Sequence, residues 1–306
     1  MDDGGFPARR SVANVSSDPF VVHRSLLFTV AYEMLGSAAD AEDVVQETWL
    51  RWADLDAGTR AEVRDPRAYL VRIVTRQSLN RLRTLARRRE QYVGEWLPEP
   101  LLTAPDVAED VELADSVSYA LLTVLETLGP TERAVFVLHE VFDTPYEEIA
   151  AAVAKTPAAV RQIAHRAREH VAARRPRMRV SRAEQEAVVQ RFLAAVRGGD
   201  LQSLLDVLAP QVVVVADGGG RASAIRRPVE GATRAGALLA GLARRAGDFE
   251  AMPMWLNGAP AVRLDLDGVL DTVVTLVIDD GLITRIYAIR NPDKLARLGE
   301  EAALSR

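Results

Sequence analysis

The chain has 306 residues, 48% of them hydrophobic and 26% charged, enough for two or three globular domains with sizeable cores. It contains no cysteine, which excludes disulfides and thiolate metal sites and fits a reducing cytoplasm. It has no run of about 18 apolar residues, and its polar N-terminus, MDDGGFPARRS, is unlike a signal peptide, so a cytoplasmic chain without membrane contact is expected. The formal net charge is −5, but nine Arg stand against Asp65 and Glu90 in residues 64–91, and eight Lys or Arg against Glu169 in residues 155–179. Two concentrated basic segments in an acidic background fit two separate, salt-sensitive phosphate contacts.

Residues 18–91 have helical periodicity and fall into three or four helices. Ser37 and Asp40 form an S-x-x-D start signal, after which Ala41, Val44, Val45, Thr48, Trp49 and Trp52 make a stripe predicted to be buried. The opposite face carries Glu42, Asp43, Gln46 and Glu47. A further helix from about Pro66 buries Tyr69, Leu70, Ile73, Val74, Leu79 and Leu82, and presents Arg72, Arg76, Asn80, Arg81 and Arg83. Residues 92–115 contain three prolines and a cluster of acids and read as a linker. Trp96 and Leu97 are unusual there, and a linker tryptophan is expected to dock, either elsewhere in the fold or on its own neighbouring helix.

Residues 116–179 read as a second helical bundle. Leu121, Leu122, Leu125 and Leu128 introduce it, Gly129-Pro130-Thr131 turns into the next helix, and Val135, Phe136, Leu138 and Val141 continue the apolar stripe. From Tyr146 to Arg179 the spacing predicts a helix-turn-helix: Ile149, Ala150 and Val153, a break at Ala154-Lys155, then a helix capped by Thr156 with Pro157 at its first position. In that second helix Val160, Ile163, Ala164, Ala167 and Val171 line one face, and Arg161, Gln162, His165, Arg166 and Arg168 the other, suited to phosphates and base edges. An amphipathic helix pair with a solvated basic face is the plain alternative.

Residues 180–306 change character to mixed α and β. A helix from about Arg182 to Val196 ends at Gly198-Gly199-Asp200, and Leu201 to Leu208 reads as a second, short helix. The strand-like run at 212–216 closes on DGGG. Asn257-Gly258, Asp267-Gly268 and Asp280-Gly281 are hairpin signals implying a four-stranded antiparallel meander from about Glu250 to Arg290. Helices followed by a curved sheet make an α+β cone, a shape that encloses a cavity. The expected fold class is therefore multidomain: two all-α domains, then the cone. None of the four histidines falls in the cone, and Asp217, Asp265 and Asp271 read as turn or surface carboxylates rather than as bases. Met252, Met254 and Trp255 read as core rather than as a ligand pocket.

The stretches DAEDVVQETWLRW at 40–52, RAYLVRIVTRQSLNRLR at 67–83 and LGPTERAVFVLHEVFDTPYEEIAAAVAKTPAAVRQIAHRAREHV at 128–171 together resemble regions 2 and 4 of bacterial sigma factors of the extracytoplasmic-function (ECF) group. The remainder looks like a SnoaL-like domain of the NTF2 superfamily. WLPEP at 96–100, DGGG at 217–220 and NPDKL at 291–295 are similar to the signature strings of one sigma-factor branch with such a fused domain.

The resemblance implies binding to core RNA polymerase through Asp43, Gln46 and Glu47. It implies contact with the promoter minus-10 element through Arg72, Arg76, Asn80, Arg81 and Arg83. The minus-35 element would be met by Lys155, Thr156, Arg161, Gln162, His165 and Arg166. It further implies that the cone regulates the sigma activity in cis, in place of a separate anti-sigma factor. Trp96, Leu97 and Pro98 would then meet the Asp217-Gly218-Gly219-Gly220 loop, with Asn291, Pro292, Asp293, Lys294 and Leu295 packed near them. No catalysis, cofactor or metal is expected, while a small ligand of unspecified chemistry in the cone is left open. The rival readings are a one-component, ligand-responsive repressor that needs no polymerase, and an enzyme tethered to DNA-binding helices.

Overall fold

The structure, a computed structural model, describes residues 18–89, 92–105, 107, 110–174, 180–246 and 248–306. Gln91, the expected end of the first segment, and the basic stretch 175–179 expected to close the second lie outside them. Helix α1 (Pro19–Leu35) starts where Asp18 accepts a hydrogen bond from Phe20 N at 2.8 Å, and it stops at Gly36, in the left-handed region at φ 67°. Every residue from Leu26 to Leu35 is buried, Thr29 and Glu33 included, so this part of the helix is enclosed on all sides, while Val21 and Val22 near its start are exposed. Helix α2 (Ala38–Ala53) begins at Ser37, whose hydroxyl accepts from Asp40 N at 3.2 Å as the S-x-x-D spacing predicts. Trp49 departs from the predicted stripe. It is 37% exposed, because it sits at the stripe's edge, where its ring meets Phe20 at 5.0 Å and otherwise lies at the surface. After the short α3 (Ala57–Glu62), the long α4 (Pro66–Arg89) buries Leu70, Val74, Leu79 and Leu82 as expected.

The stretch read as linker is extended up to Thr103 but ends in a helix, α5 (Val111–Ser116), capped by Asp110. Helices α6 (Tyr119–Leu125) and α7 (Pro130–Phe136) follow, the latter running into a π-helical turn at Val137–Val141. Then come α8 (Tyr146–Val153) and α9 (Pro157–Arg174), the two arms of the predicted helix-turn-helix. Ala154 makes the turn in the left-handed region at φ 54°, and Thr156 Oγ accepts from Ala159 N at 3.3 Å at the start of α9. The two helical segments share a single hydrophobic core. Leu27, Tyr32, Trp52, Leu70 and Val74 from the first pack with Leu122, Val135, Leu138, Ile149 and Val160 from the second.

The rest is an α+β cone. Helix α10 (Arg182–Gly198) ends on left-handed Gly199, and α11 (Leu201–Leu205) is shorter than predicted because the chain enters strand β1 (Leu208–Asp217) at 208. Strand β2 (Val229–Glu230) and helix α12 (Ala232–Ala246), neither of which has a strong sequence signal, precede the expected meander. The meander is β3 (Phe249–Leu256), β4 (Ala259–Leu266), β5 (Val269–Asp279) and β6 (Leu282–Ile289), and a one-turn helix α13 (Pro292–Leu295) follows. At each predicted hairpin both turn residues have positive φ, as type I′ geometry demands. The sheet order is β2-β1-β6-β5-β4-β3, with β1 parallel to β6 and every other pair antiparallel.

Both faces of this sheet are covered, which explains the unbroken run of buried residues from Thr272 to Ile278 in β5. Val214, Val274, Leu276 and Ile286 face α10–α12, where Val188, Phe192, Leu193, Leu204 and Ala235 fill the concave side. Val215, Val273, Val277, Tyr287 and Ile289 point the other way, onto Leu97 of the linker, Tyr119 and Ala120 of α6, and Leu295 and Leu298. At about 1.5–3 kcal/mol for each large apolar side chain buried, this second face is a substantial interface between the cone and the helical body.

Candidate functional site

The basic face of α9 stands as predicted: Val160, Ile163, Ala164, Ala167 and Val171 are buried, while Arg161, Gln162, His165, Arg166 and Arg168 are exposed, as are Lys155 and Thr156. Arg161 is held at 3.1 Å by Glu147 and lies 5.5 Å from the Tyr146 ring centroid, so the preceding helix pre-positions its guanidinium. Arg166, Gln162 and Lys155 project freely enough to meet phosphate or base edges. His165 lies 3.5 Å from Glu169, and Arg168 3.6 Å from Glu140.

On α4, Arg72, Arg76, Asn80 and Arg83 are exposed along one side. Two contacts there were not visible in the sequence. Arg76 donates to the carbonyl of Ala151 at 2.8 Å, tying the face predicted for minus-10 DNA to the helix-turn-helix. Arg81 is half-buried and pairs with both Asp40 and Asp43 at 2.6 Å, and the hydrogen bond it donates to Asp40 holds its guanidinium above the usual arginine range. Thus Asp43, predicted for polymerase, and Arg81, predicted for DNA, are bound to each other. Gln46 and Glu47 are exposed beside them, next to the exposed Trp49 and Leu50. A groove of about 620 Å³ runs between α4 and α8, walled by Tyr69, Arg72, Leu138, Glu148 and Ile149. This groove lies between the helical segments; in the cone, side chains of α10–α12 pack against the sheet, and a cleft of about 430 Å³ lies at Leu208, Pro210 and Glu230.

The strings WLPEP, DGGG and NPDKL converge on one carboxylate. Asp217, at the end of β1, is completely buried, which corrects its reading as a surface or turn residue. Its Oδ1 accepts from Tyr92 Oη at 2.6 Å and Gly219 N at 2.9 Å; its Oδ2 accepts from Leu97 N at 3.0 Å and Lys294 Nζ at 2.7 Å. Four donors on one carboxylate keep it an acceptor and leave no lone pair for proton abstraction. Lys294, itself buried, also donates to Leu97 O, and its ammonium lies 3.4 Å from the centroid of the Trp96 ring, a cation–π contact. Trp96 meets Tyr92 edge-on at 4.8 Å. Asn291 caps α13 and donates to Tyr92 Oη at 2.8 Å, and exposed Asp293 pairs with Arg221 at 2.6 Å. Burial, then the hydrogen bond to Asp217, pushes the Tyr92 phenol well above its ordinary value, so it stays a donor.

The glycines of the DGGG loop are needed where they stand. Gly219 and Gly220 have φ of 61° and 71°, and a Cβ on Gly219 would overlap the Asn291 amide, one on Gly218 the Ala222 carbonyl. Gly220 lies against Val93 of the linker. Pro98, buried, offers its carbonyl to Tyr119 Oη at 2.6 Å, and Leu97 and Leu295 complete the packing around the junction, whereas Pro292, expected there, is exposed because it opens the first turn of α13.

The other candidate carboxylates are also committed. Asp265 is buried against Arg263 at 2.8 Å. Burial raises Asp271, but hydrogen bonds from Arg290 and Thr272 outweigh it and hold the carboxyl below the usual range. Met252 is 37% exposed and Met254 and Trp255 are partly so, since β3 is the sheet's edge strand; Met254 packs against the apolar layer between the cone and the helical body, whereas Met252 is not the core residue expected and Arg182 covers the Trp255 ring at 4.4 Å. Among the described residues no group of acidic or histidine side chains is placed to hold a metal, and no helix is long and apolar enough to cross a membrane.

Comparison with known proteins places this architecture. Residues 20–88 match Sigma-70 region 2, and residues 118–171 match Sigma-70, region 4. The ECF RNA polymerase sigma factor SigJ of Mycobacterium tuberculosis is 38% identical over 291 residues, covering 90% of this chain and 91% of the relative. The probable ECF RNA polymerase sigma factor SigI of the same species is 35% identical over 283 residues, covering 91% and 94%. The crystal structure of the M. tuberculosis factor SigJ superposes with a TM-score of 0.73 at 34% identity, covering 90% of this chain and 98% of that one.

Proposed function

We propose, on the premise that this chain belongs to the family of ECF RNA polymerase sigma factors, that it binds core RNA polymerase, directs it to promoters, and is held by its own C-terminal cone in a closed form that must open before a promoter is read. The observation that carries the closed form is the common core of regions 2 and 4, with Arg76 of the minus-10 face bonded to Ala151 of the helix-turn-helix. The minus-10 and minus-35 elements lie about 25 base pairs apart, roughly 85 Å along the duplex at 3.4 Å per step. The whole of α4, with 24 residues, spans only about 36 Å. Two regions in direct contact therefore reach one element or the other, not both.

The cone supports the closed form because the linker between the regions is held between it and region 4. Asp217 and Lys294 grip Leu97 from the cone side, while Tyr119 of region 4 holds Pro98. In this reading the exposed acid and amide face of α2 meets the polymerase, α4 meets the minus-10 element and α9 the minus-35 element. The matches to regions 2 and 4 favour it over a one-component repressor.

The test uses the chain's lack of cysteine. Glu62→Cys and Glu148→Cys, both on the rim of the α4–α8 groove, are joined by a cleavable bis-maleimide. Run-off transcription with core polymerase should be lost in the linked protein and return on cleavage. Equal transcription before and after cleavage would overturn the closed-form reading.

A further inference from the structure

The β3–β4 turn, Asn257-Gly258, is more than a hairpin signal. Asn257 is completely buried, although it stands at a hairpin tip, a position that is ordinarily at the surface. Its neighbours come from every other part of the chain. Asn257 Nδ2 donates to Tyr32 Oη in region 2 at 2.8 Å and to the carbonyl of Val117, at the entrance to region 4, at 3.0 Å. Its Oδ1 accepts from Leu101 N in the linker at 3.0 Å, and its own N–H donates back to Leu101 O at 3.0 Å. Tyr32 passes the connection on by donating to Glu99 O at 2.7 Å, and the Glu99 carboxylate accepts from Ser37 Oγ at 3.1 Å at the start of the polymerase-facing helix. Gly258 N donates to Thr103 Oγ at 3.1 Å, and its Cα lies so close to Ala114 that a Cβ there would meet Ala114 Cα at 3.0 Å.

From this geometry we infer that Asn257 is a second lock of the closed form: a positioning residue through which the cone pins region 2, the linker and the start of region 4 to one another. Both donors and the carbonyl of one side-chain amide are satisfied, each by a different segment of the chain, with no water needed. When the regions separate, Tyr32 Oη, Val117 O and Leu101 N lose that partner together, so the lock opens cooperatively. Its hydrogen bonds are different from those of the Asp217–Lys294 junction, and one of them reaches Tyr32 of region 2 directly. Unlike that ionic junction it is neutral, so salt and pH act on the two differently.

The inference rests on the closed-form reading, which the groove cross-link tests without touching Asn257. Its own test is Asn257→Gly in the full chain. Glycine keeps the positive φ of 53° at this position, so the turn is retained while the amide is deleted. With dyes on Asp54→Cys and Ala172→Cys, exposed positions in regions 2 and 4, the open fraction should rise about 10- to 100-fold, the equivalent of one to two net buried hydrogen bonds. Run-off transcription should rise with it. If Asn257→Gly impairs folding by circular dichroism, Tyr32→Phe removes only the region 2 side of the lock and should shift the same two readouts in the same direction, by a smaller factor. Unchanged dye separation and transcription in the folded variant overturn the inference; if the cross-link also fails to silence transcription, the closed-form reading has failed instead.

Discussion

Replacing Lys294 by Met keeps most of the side chain's volume but removes the ammonium from Asp217, 2.7 Å away in a site where the carboxylate is fully buried. Removing one partner of a buried ion pair costs about 3–5 kcal/mol, because the other charge is left without compensation. Tyr92 Oη, Leu97 N and Gly219 N remain as donors to Asp217, so the lower end, about 3 kcal/mol, is expected. The cost should fall on local opening of the junction, and it can be read at the Leu97 and Gly219 amides, which point at the carboxylate. Their hydrogen-exchange protection in Lys294→Met should fall about 100-fold, at 1.36 kcal/mol per factor of ten. Asp217→Asn is isosteric but presents an NH₂ group to a ring of donors, and should cost a comparable amount. Since both changes disrupt the same contact, the double variant should lie at least about 1.5 kcal/mol above the sum of the singles in stability. A protection loss below about threefold, or a coupling within about 0.5 kcal/mol of zero, would refute the claim that these two side chains act as one unit.

Glu33 predicts a pH dependence. It lies on the buried C-terminal part of α1, its carbonyl accepts from Arg133 Nε at 2.8 Å, and its carboxyl is buried beside the Ser116 hydroxyl, which donates to Leu113 O. Burial pushes its carboxyl up to about 8, against the pull of Ser116, Arg133 and Arg306. A raised value means that the stabilisation is complete below the ordinary glutamate range and is lost as pH rises through about 8, by up to about 1.4 kcal/mol per pH unit. Denaturation midpoints between pH 5 and 8 should therefore fall in the wild type and stay flatter in Glu33→Gln; parallel slopes would count against this origin. On α9, Arg161→Ala should relax preference at one minus-35 base pair by about 1–3 kcal/mol, whereas Lys155→Ala should weaken binding to all sequences alike and reduce the salt slope by about 1. Binding assays on promoter variants at several salt concentrations distinguish the two, and a uniform loss for Arg161→Ala would reassign it to the phosphates.

The elements were legible wherever a local signal fixed them. Ser37 and Thr156 cap helices by side-chain geometry that needs only neighbouring residues, and each X-Gly pair forced a type I′ turn by conformational preference alone. The β2 strand and α12 were not legible, since two residues make no alternation and Ala-rich sequence does not distinguish a helix that packs from one that does not. Trp49 was misplaced because periodicity gives the direction of a stripe but not its width. At the junction, the motif strings pointed to the right residues while the chemistry was hidden. Nothing local to Asp217 distinguishes a turn carboxylate from one saturated by donors 120 and 77 residues distant. Asn257 was harder still, because its sequence context fully explains it as a turn residue and its tertiary role is added without any compositional trace.

The charge pattern that first suggested DNA acquires a different meaning in the proposed closed form. A net charge of −5 is unfavourable for approach to a polyanion unless the basic faces are presented separately from the acids. Here Glu147 holds Arg161, Asp40 and Asp43 hold Arg81, and the Ala151 carbonyl holds Arg76, so each predicted DNA face has one or more of its cations engaged internally. Separation of regions 2 and 4 frees Arg76, since its partner belongs to the other region. It does not free Arg81, whose two carboxylates lie on α2 within the same region. A basic polymerase surface competing for Asp43 would leave Arg81 with Asp40 alone and free one edge of its guanidinium for the promoter. Domain opening and polymerase contact thus act on different arginines, and in the proposed reading both are required before the full minus-10 face is available.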